Sequence, residues 1–432
     1  MLPLPVILSL MNQDMEKTAI EINSEIGTLE GVIIHSPGSE VENMTPNMVQ
    51  RALYSDILNL TVAGKEYSQF RGVLEKYTTV YEVRNLLCRI LENEKVKSGL
   101  VNRIADHERV DTLRNELLEM DAVILTSALI EGVELRRDNL SRFLSKERFE
   151  LEPLHNFFYT RDASISIGDQ VFISKMASRV RDRESMIMEA IFDYHPAFST
   201  QTVNPLSSRH LCKDFSFEGG DFLVAREDIV LVGTGSRTTP KAIDFLVDHY
   251  KAEGKTRHII VQELPYEPES FIHLDMVFTF LDKDTCMIYE PLIMHSSRFL
   301  TIHITIDNGK VKIAEELNIP AALRGLGMDF RTINCGGADD VVMQEREQWH
   351  SGANFFALGP GKVMGYSRNI YTLEELDKQG FSVLKARDVI AGKADMHAYE
   401  KCVIAIEGAE LSRGGGGCRC MTMPVRRAPV EW

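Results

Sequence analysis

The chain has 432 residues, 44% hydrophobic and 26% charged, which is enough apolar material for one large domain or for two or three ordinary ones. A formal charge of −15 argues against nucleic acid or an anionic membrane as the main partner, since both call for concentrated Lys and Arg, and it suits a small cationic ligand. Seven cysteines, odd in number and without CxxC pairs, speak against a disulfide framework and a structural zinc site and fit a reducing cytoplasm.

The first eleven residues are apolar but carry two prolines and neither a basic leader nor a cleavage site, so they read as a loose N-terminal extension. No apolar run approaches the roughly 20 residues that span a bilayer. Val32-Ile-Ile34 reads as a short strand that ends in Ser36-Pro-Gly38. From about residue 73 to 152 the texture turns helical. Proline is absent between Pro46 and Pro153, and apolar residues recur three and four apart, as in Leu113, Leu117 and Leu118, then Leu140, Phe143 and Leu144. This predicts a helical insertion, 73–152, between segments 1–72 and 153–432.

After Pro153 short strands return in a repeated order of strand, tight turn, strand and polar-faced helix. Ala163–Ile167 pairs with Val171–Ser174 ahead of a helix at Arg181–Phe192; Phe222–Ala225 pairs with Ile229–Val232 ahead of a helix at Lys241–Tyr250. Val277–Phe280 pairs with Cys286–Tyr289, and Asn354–Leu358 with Lys362–Tyr366 ahead of a helix at Thr372–Gln379. The Val32 strand and Val403–Ile406 together complete a fifth unit. Repetition of this kind suggests pseudo-symmetric closure around a centre, with a plain α/β layer as the competing architecture.

Polar residues that are costly to bury stand just before these strands: Asp162 before the first, Glu218 and Asp221 in Phe217-Glu-Gly-Gly-Asp221 before the second, His273 and Asp275 before the third. Each acid needs a cation or a hydrogen-bond donor as partner. The C-terminal run Arg413-Gly-Gly-Gly-Gly-Cys-Arg-Cys420 places a cysteine on a permissive backbone that reads as exposed, and Arg413 and Arg419 would favour its thiolate. Plainer readings stand beside these. The glycine run could be a linker, Gly-Gly-Asp a simple turn, His273 a structural histidine or, with Asp275, a metal ligand.

Taken together, Asn156-Phe-Phe-Tyr-Thr-Arg-Asp162, Phe217-Glu-Gly-Gly-Asp221, His273-Leu-Asp275 and the Gly-rich Cys-Met-Thr-Met-Pro terminus resemble the arginine deiminases of the guanidino-group-modifying (pentein) superfamily. The resemblance extends to Val32–Gly38 and to Arg346–Trp349 through Asn369, and so over nearly the whole chain. It implies a five-unit ββαβ propeller with a central site and an inserted helical domain. The activity implied is cytoplasmic hydrolysis of free L-arginine to L-citrulline and ammonia, with neither cofactor nor metal. In the implied roles Cys420 is the nucleophile, Asp162 and Asp275 hold the guanidinium, His273 is acid then base, and Glu218 orients it. Asp221 stands behind them. Asn156 and Arg237 bind the α-carboxylate, with one of Arg179, Arg181 and Arg183 as second clamp, Arg181 foremost, and Arg413 in reach. The resemblance also implies a homo-oligomer, a dimer or larger. The sequence departs from the family at Tyr67 and Ser68, where many relatives carry His and Asp, and in an additional Cys418. Other guanidine-directed enzymes (an agmatine deiminase or an amidinotransferase), a metal-dependent hydrolase and a non-enzymatic scaffold of the same fold are the alternatives.

Overall fold

Strands that are apolar at nearly every position must be covered on both faces. Thr285–Ile288 and Cys402–Ile406 are of this kind and are buried at every residue. The computed structural model describes residues 17–46, 56–295 and 298–432; the N-terminal extension read in residues 1–11 lies outside them.

Five sets of strands share one pairing pattern: an antiparallel hairpin whose inner strand also pairs in parallel with a third. Ser164–Ile167 and Gln170–Ile173 form the first hairpin, and the latter pairs with Gln201–Val203 after the helix Asp182–Tyr194. Phe222–Arg226 and Ile229–Thr234 form the second, joined by Arg257–Glu263 after the helix Pro240–Glu253. That sheet is widened by a hairpin absent from the sequence reading, Thr301–Asp307 with Lys310–Glu316. Phe278–Asp282 and Thr285–Ile288 take Arg331–Asn334 as their third strand, and Phe356–Gly359 and Lys362–Tyr366 take Cys402–Ile406.

The last set differs from expectation. Leu29–Ile34 pairs antiparallel with Met423–Arg427 and in parallel with Thr79–Glu82. Val403–Ile406 therefore belongs with the fourth hairpin, and Cys420 precedes the final strand, Met423–Arg427. The error has a physical source. Met423-Pro-Val-Arg-Arg427 carries a proline and two arginines and does not read as a buried strand, yet edge positions tolerate all three.

Between residues 60 and 144 the chain is mostly helical: Leu60–Tyr77, Val83–Leu91, Glu94–Glu108, Arg114–Glu119, Ala122–Glu131 and Leu140–Leu144. Asn59, Asn93, Asp121 and Asn139 cap four of these helices by accepting backbone N–H groups. Thr79–Glu82 interrupts the span read as helical. Leu113 and Leu117 are buried, whereas Leu140, Phe143 and Leu144 lie on the outside. Among the described residues no helix is long and apolar enough to cross a membrane.

Candidate active site

Every one of the five strand sets has a residue with chemistry just ahead of one of its antiparallel strands. Asp162 stands two residues before the first, the turn Gly219–Asp221 runs from Glu218 into the second, and the turn Leu274–Met276 runs from His273 into the third. Asn354 precedes the fourth, and Cys420 the fifth. Equivalent positions in repeated units thus converge, and a single pocket is lined by Asn156, Tyr159, Asp162, Arg181, Arg237, Ile272, His273, Gly414–Gly416 and Cys420.

His273 gives Nε2 to Glu218 Oε2 at 3.0 Å, and its Nδ1 lies 3.7 Å from Asp162 Oδ1. Burial opposes the imidazolium, but Asp162, Glu218 and Asp221 outweigh it and hold the pKa at about 9. Glu218, although buried, is held at about 2 by Arg237, His273 and Arg181, and its other oxygen accepts the Ala177 N–H at 2.8 Å. The ring sits this close because residue 220 is glycine, where a Cβ would meet His273 Nδ1 at 2.4 Å. Asp221 stands behind, accepting the Leu274 N–H at 3.0 Å, and burial pushes its carboxyl to about 7.

Cys420 Sγ receives the Asn354 side-chain N–H at 3.3 Å and lies 3.9 Å from Asp275 Oδ2. Asn354 also accepts the Arg419 N–H at 2.8 Å and donates to the Asp275 carbonyl at 3.1 Å, so one side chain ties the cysteine loop to the His273–Asp275 turn. Sequence reasoning missed Asn354, treating it as the start of a strand; its place before the fourth hairpin was the signal that could have found it.

The glycine run is needed for close approach. A Cβ at Gly416 would meet Tyr159 at 2.5 Å, one at Gly417 would meet Asn354 Oδ1 at 2.5 Å, and Gly415 has φ of 87°. The loop is not exposed as expected: Cys420 is 3% exposed. Nor do basic neighbours make a thiolate there. Burial, with Asp275 and Asp162 beside it, pushes the thiol well above its ordinary range, and Arg419 is committed to Glu25 and Asp275. Cys418 is a free thiol, fully buried among apolar side chains.

Of the three arginines considered as second clamp, Arg181 alone reaches the pocket. Arg179 bonds the His107 carbonyl, and Arg183 is buried against the Glu152 carbonyl. Arg181 is itself paired with Asp162 at 2.7 Å and Glu184 at 2.8 Å. Arg237 has fewer ties, its nearest carboxylate being Glu218 at 3.9 Å. Arg413 is not brought in; it pairs with Asp56 and Glu410 on the surface. Tyr67 is fully buried, and the neighbouring Glu66 accepts the Glu410 and Leu411 N–H groups, anchoring the entry to the glycine loop.

Ligand atoms of Asp162, Glu218 and His273 lie within 4.8 Å of one another, the spacing of a cation site. The donor set fits one poorly. A ligating imidazole must be neutral, and His273 is held cationic, while Arg181 and Arg237 already face the two carboxylates.

A profile of the arginine deiminases matches residues 50–427. The chain belongs to the arginine deiminase family. Its sequence is 34% identical to the arginine deiminase of Listeria monocytogenes serotype 4a and 32% identical to that of Bacillus cytotoxicus, in each case over 96% of this chain and 100% of the relative. Among solved structures it is similar to an amidinotransferase of saxitoxin biosynthesis from Microseira wollei, at TM-score 0.51 and 14% identity over 95% of this chain and 98% of that one. It is also similar to the substrate-bound N-terminal domain of ArgZ, an arginine dihydrolase from the ornithine-ammonia cycle in cyanobacteria, at TM-score 0.51 and 13% identity over 92% and 98%. At these identities the likeness is one of fold. This member of the arginine deiminase family is a mixed α/β protein with the fold of those two structures.

Proposed function

We propose that the chain hydrolyses the guanidinium group of free L-arginine to L-citrulline and ammonia through a covalent thiouronium on Cys420. The observation that carries this is the neighbourhood of the sulfur: a buried thiol between two carboxylates, Asp162 and Asp275, facing an imidazolium held by Glu218.

The charges explain the order of events. Burial and the two carboxylates hold the Cys420 sulfur toward the thiol form. A guanidinium bound between Asp162 and Asp275 cancels their field and lowers the thiol's pKa, so the thiol loses its proton to solvent water and the nucleophile is made by its own substrate. The thiolate attacks the guanidinium carbon. His273 gives its proton to one terminal nitrogen, whose bond to carbon breaks, and ammonia leaves the thiouronium behind. His273, now neutral, takes a proton from water as its oxygen bonds the same carbon, and the carbon–sulfur bond then breaks while the remaining hydroxyl proton passes to the sulfur, releasing citrulline and the Cys420 thiol. Arg237 and Asn156 receive the α-carboxylate, with the Arg181 charge behind them.

The same reading extends to architecture. The five hairpin sets are the units of a five-unit ββαβ propeller around the pocket, and a helical domain, expected at 73–152 and better drawn from residue 83 once Thr79–Glu82 is counted with the sheets, is inserted into it. The protein works in the cytoplasm, as a homo-oligomer, on a small-molecule substrate.

Citrulline and ammonia release from L-arginine, run beside agmatine and beside an amine acceptor, tests the reaction. Citrulline from arginine supports it; amidine transfer to the acceptor without citrulline would make the chain an amidinotransferase instead.

A further inference from the structure

The two carboxylates assigned to the guanidinium share an arrangement that their sequence neighbourhoods do not suggest. Asp162 Oδ2 accepts Arg181 Nη1 at 2.7 Å, and Arg181 gives Nε and Nη2 to Glu184 Oε2 at 3.1 and 2.8 Å. Asp275 Oδ2 accepts Arg419 Nη1 at 2.8 Å, and Arg419 gives Nε and Nη2 to Glu25 at 3.0 Å each. The donor pattern is the same in both, and all six side chains are buried. In both, the other aspartate oxygen, Oδ1, is buried without a hydrogen-bond partner.

A guanidinium fork gripped along one edge by a glutamate cannot swing, so the aspartate on its remaining nitrogen is fixed about Oδ2 and presents one free acceptor. Buried ion triads add little stability over well-packed apolar groups, which makes two of like design around one pocket hard to ascribe to folding alone. Arg419 has a second tie to the chemistry, because its backbone N–H is held by the Asn354 that contacts Cys420 Sγ. Its side chain also bonds the Phe222 carbonyl at 2.6 Å.

We propose that Glu25 and Glu184 are positioning residues which, through Arg419 and Arg181, aim Oδ1 of Asp275 and of Asp162 at the substrate guanidinium. The inference rests on the arginine-hydrolysis reading. Glu25 reaches the site from the N-terminal segment ahead of Leu29–Ile34, and nothing in the family motifs quoted above marks it.

The groups that face Asp275 are Arg419, Arg161, His273, Asp162 and Cys420. Glu25→Gln removes a negative charge from Arg419 and strengthens its pull on Asp275, so the acid limb of kcat/KM moves to lower pH. Arg419→Met removes the cation, so the limb moves to higher pH. At the optimum each loses about tenfold or more in kcat/KM. Glu25→Asp, which keeps the charge on a shorter stem, returns the limb to its wild-type position but not the full rate. A merely structural role moves stability and leaves the limbs in place.

The measurement is the pH profile of citrulline release for the four proteins, with circular dichroism on each. Opposite limb shifts support the relay. Limbs that coincide, or that move the same way, overturn it, and should Arg419→Met fail to fold, the Glu25→Gln and Glu25→Asp profiles decide alone. Absence of citrulline from the wild-type protein is a different result, one that defeats the reaction itself.

Discussion

Cys420 and Cys418 are two residues apart, and burial in one apolar cluster pushes both thiols up. Their polar surroundings differ: burial alone acts on Cys418, whereas Cys420 faces Asn354 and Asp275. Cys420→Ser should lower kcat by about a thousandfold or more, while Cys418→Ser, in a site that loses only a buried sulfur, should keep kcat within about threefold. Steady-state citrulline release checks both. Arg237→Met should raise KM for arginine about 10- to 100-fold, the worth of one charge-assisted bond, and leave agmatine handling nearly unchanged. The His273–Glu218 pair makes a pH prediction. The folded pKa of His273 is raised from 6.5 to about 9, so its stabilisation is complete below 6.5 and lost as pH rises through about 9. Glu218 is depressed from 4.5 to about 2, so its share holds above 4.5 and fades toward 2. Thermal midpoints measured from pH 5 to 10 should fall on the alkaline side for the wild type and fall less for His273→Gln.

Strands and helices show what the sequence could and could not tell. Four of the five strand sets were legible because their hairpin strands are largely apolar runs bounded by turn residues, and their bounds differ from the structure by a residue or two. Met423–Arg427 escaped because Pro424 and two arginines disguise it. Among site residues, acids and His273 could be found since each is expensive beside an apolar strand; Asn354 and Glu25 could not, because a neutral amide and a lone early glutamate look ordinary until their partners are known. Periodicity gave helices but not burial. Leu117 is fully buried and Phe143 is 65% exposed, although both fit the same spacing. Leu117→Ala should therefore cost about 2–5 kcal/mol in urea unfolding, and Phe143→Ser within about 0.5 kcal/mol. In the glycine run, Gly417→Ala forces a contact with Asn354 and should cost both stability, by about 1–3 kcal/mol, and kcat, because Asn354 carries the Cys420 contact with it.

At the scale of the whole molecule, one pocket draws on segments from Asn156 to Cys420, and Glu25 holds the Arg419 beside it. Occupying it therefore ties the chain's ends and middle together. L-Arginine at 100 times its Kd should add about 2.7 kcal/mol to the unfolding free energy of Cys420→Ser, and agmatine less at equal concentration, because Arg237 and Asn156 have no carboxylate to hold. The net charge of −15 suited a small cationic ligand without naming one; the chemistry became specific only when carboxylates, imidazole and thiol were found within one site.

The reaction proposed for this pocket requires a bond between substrate carbon and Cys420 sulfur. Acid quench of enzyme mixed with L-arginine, followed by peptide mass spectrometry, should find Cys420, and not Cys418, carrying the mass of arginine less ammonia. Turnover with an unmodified Cys420 at every quench time, or the adduct on another residue, would contradict it.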